Sequence, residues 1–78
     1  MKAQEIRKMV ECKAVESVRV MHENGVTDWL IEFHMSWKMF SDVTLETSRG
    51  EIRKFKTLDA VYKFLHEIGI TSFEVISA

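Results

Sequence analysis

No apolar run in the sequence approaches the roughly 18–20 residues a membrane-spanning helix needs, so an integral membrane protein is not expected. The opening stretch MKAQEIRKMVECK has neither a secretory apolar core nor a cleavage site, which points to the cytoplasm. One cysteine, Cys12, excludes an internal disulfide and suits a reducing compartment. The three glycines stand singly, so there is no glycine-rich phosphate loop. Cys12 lacks a C-x-x-C partner, Cys and His do not recur at metal-ligand spacing, and no serine sits in a nucleophile elbow. These absences argue against an enzyme, a metal and a cofactor. A surplus of positive charge is also missing: the net charge is −1, whereas nucleic-acid-binding domains are usually basic.

What remains is one globular domain over residues 1–78, 46% hydrophobic and 29% charged. A domain of this size has a small core, which good packing or oligomerisation must supplement.

The glycines punctuate the chain. Asn24-Gly25 fits a type I′ hairpin, whose two central residues need positive φ. A two-residue loop there pairs Val20 with Trp29 and Val18 with Ile31 on one face. Gly50 marks a second tight turn, and a three-residue loop at Arg49-Gly50-Glu51 pairs Leu45 with Phe55 and Glu46 with Lys54. Gly69 ends a helix over TLDAVYKFLHEI, capped by Thr57 and apolar at Leu58, Val61, Leu65 and Ile68. SFEVI follows as a last strand with Phe73 and Val75 inward. A first helix within residues 1–13, with Ile6, Met9 and Val10 on one side, could sit at the periphery.

The expected fold is α+β, an antiparallel four- to five-stranded sheet with a helix on one face, in the order α-β-β-β-β-α-β. Counting strand reversals makes the last strand antiparallel to the first and places it beside that strand. The expected core is Val18, Val20, Trp29, Ile31, Phe33, Val43, Leu45, Phe55, Leu58, Val61, Leu65, Ile68, Phe73 and Val75.

From Trp29 to Met39 the chain alternates with period two, the mark of a strand. Within FHMSWKMFSD, Phe33 and Met35 continue the buried face. Trp37, Met39 and Phe40 lie past the reach of the first strand. They either fold under the first helix or project as an apolar patch that meets another chain, where tryptophan and methionine are enriched. Leu30 and Met21, apolar on the supposed solvent face, add to the second reading. The expected partner is a second copy, giving a homodimer, or another protein.

Residues 49–63 carry Arg49, Arg53, Lys54, Lys56 and Lys63 against Glu51 and Asp59, a surplus of three positive charges. With Lys38, the cations Arg49, Arg53, Lys54 and Lys56 offer an alternative function: a sheet that binds nucleic acid, with Trp37 or Phe40 stacking on bases. Glu32, Glu46 and Glu51 interrupt that stripe, and ion pairing across strands is the preferred reading. His22, His34 and His66 fall on three separate elements, and Glu32 beside His34 is the nearest approach to a metal site.

Between residues 28 and 75, the cadence runs through Trp29, Leu45-Glu46-Thr47, Arg49-Gly50, Arg53, Phe55, Leu58-Asp59-Ala60, Gly69-Ile70, Phe73 and Val75. It resembles a loose group of very short bacterial proteins carried by plasmids and other mobile elements, some accessory to plasmid partition or maintenance. The resemblance implies a bacterial, intracellular, non-enzymatic protein and carries no active-site residues across. The N-terminal segment and MSWKMF lie outside it.

Overall fold

In the computed structural model, which describes residues 1–22, 28–36 and 42–77, the elements are α1 (Ala3–Glu11), β1 (Val15–His22), β2 (Leu30–Met35), β3 (Val43–Thr44), α2 (Leu58–Glu67) and β4 (Glu74–Ser77). The fold is α+β. The Asn24-Gly25 turn lies outside the described residues.

Local chemistry sets both helix boundaries. Thr57 Oγ1 accepts the Ala60 amide at 3.1 Å, and Asp59 puts a carboxylate in the first turn of α2. At the far end Gly69 takes φ 93°, so that Gly69 N donates to His66 O and Ile70 N donates to Leu65 O at 2.8 Å. That is a Schellman ending, and glycine enters the left-handed region without a Cβ penalty. α1 begins with the Lys2 amide donating to the Glu5 carboxylate at 3.1 Å. It closes with the same bonds as α2, Lys13 N to Val10 O and Ala14 N to Met9 O, but a lysine at φ 58° stands where glycine would be easier.

The sheet order is β3-β2-β1-β4. Val18 lies opposite Phe33, and Val20 opposite Ile31. With Met35 these residues form one core with Ile6, Leu45, Phe55, Val61, Phe64, Leu65 and Ile68, so both helices cover the same face of the sheet. Ile6 is fully buried, which makes α1 part of the core and not a peripheral appendage.

The first hairpin is shifted by two residues from the expected register: Val20 meets Ile31, not Trp29. An even shift keeps every inward residue inward, so alternation fixes the face without fixing the partner. The second hairpin turns at Ser48-Arg49-Gly50, with Thr47 N donating to Glu51 O at 2.7 Å and Gly50 at φ 88°. Glu46 therefore bridges to Ile52, and the expected Glu46–Lys54 pair is replaced by a Glu46 contact with the Met1 amine at 3.2 Å.

This turn does not generate a fourth meander strand. Leu45 N donates to Ile31 O, the chain makes its excursion, and Phe55 then pairs with Trp29, the residue before β2, on the line of β3. One strand reversal is thus missing. α2 then returns the chain so that β4 runs parallel to β1, with Val20 beside Val75 and Met21 beside Ile76. The neighbour is as expected and its direction is reversed, giving a mixed sheet.

Five expected core residues are less buried than their pattern implies. Leu58 is 38% and Val75 45% exposed, one at the first turn of α2 and the other on an edge strand; Trp29, Val43 and Phe73 are half-buried against the core. Phe64 of α2, absent from the expected core, is buried.

Candidate interaction surface

The helix-free face of the sheet carries two contrasting rows. Leu30, Met21 and Ile76 are neighbours across β2, β1 and β4, all half-buried, and form an apolar row. The next row runs Thr44, Glu32, Arg19 and Glu74. Leu30 and Met21, singled out from the sequence, thus come together. Trp37, Lys38, Met39 and Phe40 lie outside the described residues.

Above the second row stands a charged network. Arg19 Nη2 contacts the Asp42 carboxylate and lies 3.9 Å from Glu32. His34 sits between two carboxylates, Asp42 Oδ1 at 2.9 Å from Nδ1 and Glu16 Oε2 at 3.2 Å from Nε2. A ring protonated on both nitrogens donates to both; a neutral ring donates to one. The network ties β1 to β2 and to the residue preceding β3. Glu32 shares the helix-free face of β2 with His34, as expected, and its carboxylate faces Arg19. Among the described residues no cluster of three or more His, Cys, Asp or Glu side chains is arranged to hold a metal ion.

A bulge explains why Glu16 escaped sequence reading. Pairing shifts between Val15 and Ser17, leaving Glu16 as the extra residue beside His34. Nothing in the alternation announces it. Arg19 opposite Glu32 was within reach of a sequence argument and was missed because the register was displaced by two.

The basic hairpin is divided. Arg53 lies over the rings of Phe55 and Phe64, 4.8 and 5.0 Å from their centroids, and is half-buried. That stacking gives the guanidinium a structural partner. Arg49, Lys54 and Lys56 are exposed. Beside Arg53, Lys2, Gln4, Glu46, Thr47 and Ser48 line an open cleft of about 440 Å³, where the Glu46 carboxylate contacts the Met1 amine.

The two edges of the sheet differ. At β3 the chain covers its own edge: the Met1 amine donates to Thr44 O at 3.1 Å, Glu46 N donates to Met1 O at 2.8 Å, and Lys2 bridges Glu46. At β4 nothing pairs beyond the strand among the described residues. Val75 is 45% exposed there, and Tyr62 of α2 is 53% exposed. Tyr62 lies 6.4 Å from Phe73 and stacks on His66 at 5.8 Å, so an aromatic pair flanks the open edge. Sequence reasoning assigned Phe73 and Val75 to the core and gave Tyr62 no role in contacts with another chain.

No helix among the described residues is long and apolar enough to cross a membrane. Compared with protein-family models, curated proteins and solved structures, the chain matches none.

Proposed function

We propose that this chain is a small non-enzymatic interaction protein that works by associating with a second copy of itself. The observation that carries the reading is the unequal treatment of the two sheet edges. One is covered by Met1 and Lys2, while the other is unpaired among the described residues and bordered by exposed Val75 and Tyr62. Unpaired strand edges with apolar neighbours are templates for pairing unless charge or a bulge blocks them. β4 carries Glu74 alone among charged residues, and on the helix-free side. The apolar row Leu30, Met21, Ile76 adds a second surface that association can cover. The resemblance of residues 28–75 to short plasmid-borne proteins supports the role of a bacterial accessory factor, located in the cytoplasm.

Light scattering after size-exclusion chromatography, over a range of loading concentrations, tests the reading. A mass near twice 9.1 kDa is expected. A mass of 9.1 kDa at every concentration overturns it.

A further inference from the structure

We infer that the second copy docks on β4, the two β4 strands pairing antiparallel about a two-fold axis at Val75 and joining two four-stranded sheets into one. The inference rests on the self-association proposed above and names the surface and register through which it occurs.

Topology selects the strand. Among the described residues, β4 is the edge whose outward side is unpaired, since Met1 and Lys2 already occupy the edge at residues 44–46. In a strand, alternate residues turn their amide and carbonyl to opposite sides, so half of the β4 backbone groups point away from β1. Those groups are satisfied by water or by another strand. A second β4 supplies matching donors and acceptors.

Symmetry selects the direction. A two-fold axis perpendicular to the sheet makes identical edge strands antiparallel and keeps the helices of both copies on one side. Residues that face each other then lie on the same side of the joined sheet.

Side-chain chemistry selects the register. An axis at Glu74 would set two carboxylates directly opposite, which is unfavourable. An axis at Val75 sets Val75 against Val75 on the helix side and Glu74 against Ile76 on the open side. The exposed aromatic Tyr62 and half-buried Phe73 of each copy then border the central valine pair. Glu74 keeps Arg19 as its neighbour on β1. Each copy carries a net charge of −1, so long-range repulsion between two copies is small.

A second copy suits this strip better than a charged peptide does. Val75, Tyr62 and Phe73 present no formal charge to read, and an apolar strip is complementary to itself. An isologous contact buries it twice.

Cysteine crosslinking reads the register directly. In a Cys12→Ser background, Val75→Cys should crosslink on mild oxidation, because directly opposed Cβ atoms lie about 4.5–5.5 Å apart. Ile76→Cys in the same background should not, because its symmetry mate lies on a diagonal beyond the roughly 7 Å Cα separation that a disulfide spans. Val75→Lys places two like charges on the axis and should halve the mass in solution. Since Val75 is exposed, this variant should retain its circular dichroism spectrum; if it fails to fold, the crosslinking pair decides alone. A dimer in which Val75→Cys does not crosslink, or in which folded Val75→Lys remains dimeric, overturns the β4 interface and leaves self-association standing. A protein monomeric at every concentration overturns both.

Discussion

Trp29 and Phe55 exchange both backbone hydrogen bonds, Trp29 N to Phe55 O at 2.7 Å and Phe55 N to Trp29 O at 2.9 Å. This pair returns the chain to the edge of β2 after the excursion through residues 46–54. It therefore fixes the direction in which α2 and β4 follow.

Phe55 anchors that return, being 7% exposed and set at a tilt against Phe64, with ring centroids 5.6 Å apart. Replacing it with alanine removes the ring on which Arg53 also rests. Phe55→Ala should cost about 3–5 kcal/mol, the usual range for deleting a buried phenylalanine. Urea denaturation measures it, and a loss under about 1 kcal/mol would show that the site is not an anchor.

Lys13 occupies the left-handed position that ends α1, at φ 58°. An L-residue with a Cβ pays roughly 1–2 kcal/mol there, partly offset by glycine's greater freedom in the unfolded chain. Lys13→Gly should therefore stabilise the protein, by about 1 kcal/mol. For a domain of this size that corresponds to roughly 4–8 °C in Tm. An unchanged or lowered Tm contradicts the cap assignment.

Arg19 links Asp42 to Glu32 on the helix-free face. Its side chain is 41% exposed and that of Asp42 is 12% exposed, so solvent screens the pair from one side. A double-mutant cycle with Arg19→Met and Asp42→Asn should give a coupling of about 0.5–1 kcal/mol. The coupling should shrink in high salt. A coupling independent of salt would mean that packing, not charge, joins the two residues.

Arg53 is committed to two aromatic rings, which leaves Arg49, Lys54 and Lys56 as the exposed cations of the hairpin. Three phosphate contacts would give only a shallow salt slope and weak affinity. The interaction reading predicts no retardation of single- or double-stranded DNA at low salt. Retardation that Lys54→Glu and Lys56→Glu abolish would favour the nucleic-acid reading.

Much of the fold was legible because it follows from short-range chemistry. Thr57 and Gly69 bracket α2 by capping and by positive φ, properties of the residues themselves. Period two sorted Val18, Val20, Ile31 and Phe33 onto one face. The surface was less legible. Glu16 reaches His34 through a bulge, and Asp42 reaches it from outside the strands that alternation describes. Val75 shows the complementary failure: it points toward the helix side as its pattern implies, yet the edge position leaves it 45% exposed.

The sequence by itself determined which residues face inward and where α2 begins and ends, since caps, turns and alternation act over a few residues. Only the tertiary structure decided the register of β1 on β2, the return of Phe55 to Trp29 and the parallel direction of β4. Each of these depends on which of several equally patterned partners a segment meets. A shift of two residues preserves alternation, so long-range packing alone can choose between them.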